Sequence, residues 1–311
     1  MSDQESSHSR FGLFGDLPTR LLNWAVRTWP GIPHPVEEAV ISLSSLVIYL
    51  AAQPQRKAIQ RNFGHIWPDS SWPERFVAGL QVFRNFAWTS VDSARMRLNQ
   101  TPIVWSIEGR EVFEQLKEDP DGCLLFTTHT GNYDLAGALF SEKFGRLIHT
   151  VRVPERSEEL QTLRKAELDR DQQSHPNFRV HYNKSEELLG IELARLLSDG
   201  EIVAIQCDRV FGAVSALEIP YGDGSTRIRL PKGPMVLAAI SRRPCIPLYV
   251  TRSGYRTYTI TFQPPLQVSP PPGKRKPGPE DYAQSWEQRL RIFLEPHATQ
   301  WFVFEDAFTS K

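Results

Sequence analysis

The chain has little that would commit it to metal or disulfide chemistry. Its three cysteines, Cys123, Cys207 and Cys245, are far apart and each lies in a strand-like apolar run. None has the paired spacing of a zinc site, so they read as reduced, buried thiols. The histidines at 8, 34, 65, 149, 175, 181 and 297 are scattered without ligand spacing. No metal is expected, and no cofactor.

Charge of one sign is also missing. Lys and Arg together number 36 and so do Asp and Glu, which leaves no global field to attract nucleic acid. Any contact with phosphate or a membrane must come from local patches. The longest apolar run, residues 39 to 52 (AVISLSSLVIYLAA), falls short of the ~20 residues a spanning helix needs. The polar start MSDQESSHSR does not resemble a secretory signal. A cytosol-facing protein is expected. There is no Gly-X-Ser-X-Gly elbow, and no cysteine sits in a nucleophile context.

What is present is the composition of a folded domain, 40% hydrophobic and 23% charged. The first third reads as helical. Phe76, Leu80, Phe83, Ala87 and Val91 recur at spacings of three and four, which lines one helix face with apolar residues. After Gly109 the pattern alternates. Strand-like runs occur at 123–128, 147–152, 178–182, 202–207, 245–251 and 257–263, with amphipathic stretches between them. In one such stretch, SEELLGIELARLLSDG, Asn183 is placed to cap the start and Gly200 to stop the helix in a left-handed turn. Alternation of this kind predicts an α/β fold, with a largely parallel or mixed sheet covered by helices and a helical N-terminal extension. We divide it as residues 1–54, a helical segment suited to a membrane, and 55–311, the main domain. The Pro-rich segment 264–279 reads as an extended loop.

Ligands of such sheets sit outside the carboxyl ends of the strands. The run LLFTTHTGNYDLAG, residues 124–137, places His129 at such an end. Gly131 allows a tight turn, Asn132 can cap the following helix, and Asp134 returns towards the imidazole. A carboxylate there would fix the ring's tautomer and leave its second nitrogen free as a base. The helix start offers backbone N–H groups where an oxyanion or phosphate could lie, bordered by Gly131 and Asn132. These residues alone equally describe a polar turn, with His129 hydrogen-bonded and Asp134 complementing the helix dipole.

His, four residues, then an acid within TTHTGNYDLAG resembles the first signature block of the lysophospholipid acyltransferase superfamily. RKAIQRNFGHIWPD, IEGREVFEQLKEDPDGCLLFTTHTGNYDLAG, the block GEIVAIQCDRVFGAVSALEIPYGDGSTRIRLPKGPMVLAAISRRPCIPLYVTR, and ATQWFVFED are together similar, in order, to its lipid A biosynthesis branch. The likeness runs from about residue 55 to residue 305. Many lipid A enzymes carry Glu where this chain has Asp134, and they usually begin with a spanning helix. The Phe-Pro-Glu-Gly-Thr-Arg block of the glycerolipid branch does not occur here.

The resemblance implies transfer of a fatty acyl group from a thioester, on acyl carrier protein or coenzyme A, to a hydroxyl or amine of a lipid acceptor. In that reading His129 is the base and Asp134 its support. Arg152, at the end of a strand, and Arg164, in the helix after it, are candidate cations for the oxyanion. Asp208 and Arg209 end another strand and could position substrate as an adjacent ion pair. Arg227 and Arg229 are two apart on one face, and Lys232 precedes a helix start. Such a trio suits a phosphate or phosphopantetheine group. Residues 10–33 mix aromatic and basic side chains and suit a membrane interface, making the protein peripheral on the cytoplasmic face of the inner membrane. A non-catalytic lipid or carrier binder and a hydrolase on the same fold are the competing expectations.

Overall fold

The computed structural model describes residues 31–98, 102–154, 158–183, 188–210, 214–270, 272–273 and 276–310; side chains at 138–140, 142, 158–160, 163, 164, 167 and 310 lie outside that description. The membrane-suited stretch 10–33 falls almost entirely outside it.

Three helices come first: α1 (His34–Ala51), α2 (Gln53–Ile66) and α3 (Trp72–Arg97). α3 starts where the sequence signals it. The Glu74 carboxylate accepts from the Ser71 backbone N–H at 2.6 Å, and Pro73 sits inside the first turn. α1 is two-faced. Glu37, Ile41, Ser45 and Tyr49 recur every four residues and are buried, whereas Val36, Val40, Leu43, Val47 and Leu50 are about half exposed or more, from 48 to 64%. Its buried charge is matched, since Glu37 accepts from Arg95 Nε and the Tyr255 hydroxyl at 2.8 Å each and from Arg256 at 3.2 Å. Among the described residues no single helix is long and apolar enough to cross a membrane, although α1 and α2 together pass by length and composition across a 93° bend.

The α/β part runs β1 (Val104–Glu108), α4 (Arg110–Glu118), β2 (Cys123–Thr127), α5 (Tyr133–Phe144), β3 (Ile148–Arg152), α6 (Glu158–Ser174), β4 (Phe178–Tyr182), α7 (Leu189–Ser198) and β5 (Ile202–Gln206). After them come β6 (Ala216–Tyr221), β7 (Thr226–Pro231), α8 (Lys232–Ser241), β8 (Cys245–Gly254), β9 (Thr257–Phe262), α9 (Pro279–His297) and β10 (Phe308–Ser310). Seven strands form one sheet in the order β1-β9-β8-β2-β5-β3-β4, parallel except where β8 meets β9. The fold class read from the alternating pattern is therefore the one observed. A small antiparallel sheet, β10-β7-β6, stands apart from it.

β2 lies at the centre with apolar residues facing both ways. Leu124 and Phe126 join the core shared with α7, α8 and α9; Cys123 and Leu125 join the core under α4 and α5. Burial on both faces is why the run reads as continuously hydrophobic. One local expectation changes. The helix predicted to begin after Asn183 begins at Leu189, and Asn183 instead donates its backbone N–H to the Arg152 carbonyl at 2.7 Å, extending the β3–β4 edge. The Pro-rich segment is an extended loop over 264–270, as expected, and is anchored near its start by Leu266, buried in the core.

Candidate active site

The site grows out of the end of β2. Thr128, His129 and Thr130 follow the strand into a turn made by Gly131, whose φ of +52° a glycine accepts without strain. Space also demands glycine there, because a Cβ would lie 2.5 Å from the Val250 carbonyl oxygen. Asn132 then caps α5. Its Oδ1 accepts from the Leu135 N–H at 3.4 Å and from the Ser93 hydroxyl at 2.9 Å, which ties the turn to α3. Gly131 and Asn132 thus hold the conformation of the turn.

His129 is held by a carboxylate, but not by the expected one. Its Nδ1 lies 2.8 Å from Asp208 Oδ1, and its backbone N–H donates to Asp208 Oδ2 at 2.8 Å. Asp208 follows β5, the strand that pairs in parallel with β2, so parallel register brings the two strand ends together. The Asp208 side chain is fully buried, and it takes a third hydrogen bond, from Trp301 Nε1 at 2.8 Å. Three donors on one carboxylate are what a buried charge requires. Burial by itself would raise the Asp208 pKa; the charge and hydrogen bonds of His129, with the Trp301 bond, overcome it and hold the group below its usual range.

Asp134 faces another way. It pairs with Arg152 at the end of β3, and among the described residues Asp208 is the carboxylate within ion-pair reach of the imidazole. The correction has a simple cause. Asp134 sits in the first turn of α5, directed over the sheet towards β3, whereas β5 delivers Asp208 beside His129. Asp134 still acts on the ring through space, favouring its protonated form weakly.

Burial is the largest influence on His129 and lowers its pKa, with Asp208 pulling upward and Arg209 downward. The imidazole is thereby kept neutral at pH 7. With Nδ1 committed to Asp208, the free lone pair is on Nε2, which makes no hydrogen bond among the described residues. An imidazole held in this way has the chemistry to act as a general base. No described cysteine competes as a nucleophile: burial pushes the Cys123 thiol up to about 12 and the Cys207 thiol well above its ordinary value.

Beside the turn a slot opens between α5 and the sheet. Thr127, Thr128, Asp134, Arg152 and Gln206 stand at its mouth, and apart from Thr150 its deeper walls are apolar, drawn from β2, β3, β4, β5, β8 and β9 below and from α5 and α6 above.

A profile of the bacterial lipid A biosynthesis acyltransferases matches residues 19–310. The chain belongs to that family. A search of curated protein sequences gave no match. Membership in the family fits both the strand-end histidine and the apolar slot next to it, and it makes the protein an acyltransferase of lipid A type.

The other expected site residues divide. Arg152 lies at the slot mouth, bound to Asp134. Arg164 is in α6 but outside the described side chains. Arg209 does not pair with its neighbour Asp208; its Nε faces Glu305 Oε1 at 3.4 Å, because successive side chains diverge and Asp208 is taken by His129. Arg227 and Arg229 do share the outer face of β7, with Lys232 opening α8, but they sit on the small sheet, where Arg227 donates to the Glu218 carbonyl. Trp301 was not foreseen as part of the site. A signal existed: in ATQWFVFED an indole sits in an apolar run, and a buried indole N–H requires an acceptor.

Proposed function

We propose that the protein transfers a fatty acyl group from a thioester, carried by acyl carrier protein or coenzyme A, to a hydroxyl or amine of a lipid acceptor. The observation that carries this reading is the free Nε2 of a neutral, Asp208-anchored His129 whose ring packs against Tyr133, a lining residue of the largely apolar slot. His129 takes the proton of the acceptor's hydroxyl or amine as that group attacks the thioester carbonyl. Asp208 holds the ring in the tautomer that leaves Nε2 free and stabilises the imidazolium that forms. The tetrahedral oxyanion lies by the start of α5, near its positive dipole end, with the Arg152 guanidinium at the same mouth. When the intermediate collapses, the carbon–sulfur bond breaks and the imidazolium returns the proton to the leaving thiolate. Arg227, Arg229 and Lys232 are assigned to an anionic group on carrier or acceptor.

The acceptor is a membrane component, and the exposed apolar stripe of α1 supports a peripheral position on the membrane. We place it on the cytoplasmic face, where acyl thioesters are made. Truncation of the first 33 residues tests how contact is divided. Release from anionic vesicles assigns contact to that segment; retention assigns it to α1.

Incubating the purified protein with labelled acyl-coenzyme A or acyl carrier protein and a lipid extract tests the reaction. Acylated lipid is the expected product. Free fatty acid alone identifies a hydrolase, and no conversion identifies a binding protein.

A further inference from the structure

The slot beside His129 has a definite floor. Ile148 and Phe178 are register partners at the starts of β3 and β4 and face the same side of the sheet. Arg152 stands at the mouth on the same strand as Ile148. They are four residue steps apart along the strand, about 13 Å at ~3.3 Å per step. Between mouth and floor the walls are Leu125, Thr150, Ala204, Leu248 and Val250 from the sheet, roofed by Ala136 and Gly137 of α5. The space open to a water-sized sphere is narrow, ≈ 80 Å³.

Gly137 is what keeps the lower end of the slot open. A Cβ at this position would come within 2.9 Å of a ring carbon of Phe178, which is itself only 3% exposed. Helix interiors disfavour glycine by about 1 kcal/mol relative to alanine. Its presence here is explained by the ring it faces.

Resting on the acyl-transfer reading, we infer that Gly137 and Phe178 form the stop that sets the length of the transferred acyl chain. The thioester carbonyl lies at the mouth beside His129, and the alkyl tail runs down the slot towards Ile148 and Phe178. With C–C bonds of ~1.5 Å in a zig-zag, about 13 Å accommodates about ten carbons, so medium-length chains fit and long ones meet the Phe178 ring. Room for one methylene more or less changes the relative rates of neighbouring donors about fourfold.

The test is competition. The enzyme receives an equimolar mixture of saturated acyl-coenzyme A or acyl carrier protein donors of graded length, and acylated lipid is resolved by mass spectrometry. Product ratios within one tube do not depend on how much of a variant is folded. Wild type is expected to favour medium chains. Phe178→Leu, which keeps an apolar side chain but shortens it, moves the distribution to longer products, and Gly137→Ala moves it to shorter ones. Product distributions unchanged in both variants, while wild type makes acyl lipid, overturn the stop. Absence of acyl lipid with every donor overturns the acyl-transfer reading instead.

Discussion

Trp301 donates its indole N–H to Asp208 Oδ2 at 2.8 Å, on the same carboxylate whose other oxygen holds the His129 ring. Phe302 adds a backbone hydrogen bond to the His129 carbonyl at 2.8 Å, and Gln300 clasps both the N–H and the carbonyl of Arg252. The segment after α9 is therefore the back wall of the His129–Asp208 pair.

This arrangement predicts different consequences for the two acids. Asp208→Asn replaces a charged acceptor by a neutral amide and removes the stabilisation of the imidazolium. Acyl transfer is expected to fall roughly 10²- to 10⁴-fold. Asp134→Asn leaves the Nδ1 bond intact and is expected to cost less. Trp301→Phe, which removes one of three donors to Asp208, should lie between wild type and Asp208→Asn. Initial rates of the three purified variants, checked for folding by circular dichroism, decide the order.

A pH prediction follows from the direction of the His129 shift. Burial lowers its pKa below the ordinary value of 6.5, and the base must be unprotonated to act. Activity is therefore full at pH 7 and falls as the pH drops through the lowered pKa. The acid limb of kcat/KM is expected to have its midpoint below 6.5; a midpoint above 7 contradicts a buried neutral base.

How much of this was legible in the residues differs between fold and site. The central strands were readable because burial on both faces makes them continuous apolar runs, as in CLLFT. β1, β6, β7 and β10 were not: β1 alternates exposed and half-buried residues at the sheet edge, and β10 has three residues. His129 was recognisable from its place at a strand end, and Gly131 and Asn132 from the turn and cap chemistry. Asp208 as the partner of His129 was hidden because the contact spans 79 positions and depends on which strands are neighbours. A spacing of five, by contrast, made Asp134 the obvious local choice.

Gly131→Ala tests the turn. The substitution forces a side chain into a left-handed conformation and against the Val250 carbonyl. A loss of at least ~1–3 kcal/mol is expected from the backbone strain, seen as a lower midpoint in urea unfolding.

Asp92 offers a stability test away from the chemistry. Its carboxylate accepts from the Tyr258 hydroxyl at 2.7 Å, and its Oδ1 makes no hydrogen bond among the described residues. Burial raises its pKa from 3.8 to about 6. The folded state then binds the proton more tightly than the unfolded chain. Stability from this group is present below pH 4 and lost as the pH rises to 6, on the order of 3 kcal/mol at ~1.4 kcal/mol per unit. Asp92→Asn is expected to flatten the pH dependence of unfolding across pH 4–6; an unchanged slope excludes Asp92 as its source.

Everything in the catalytic account passes through one nitrogen, Nε2 of His129. Its most direct test is the turnover of purified His129→Ala with a labelled acyl thioester and a lipid acceptor, alongside wild type. The account predicts that acyl lipid formation falls at least about 10²-fold while the variant keeps its circular dichroism spectrum and cooperative unfolding. A folded His129→Ala protein that acylates lipid at the wild-type rate contradicts it.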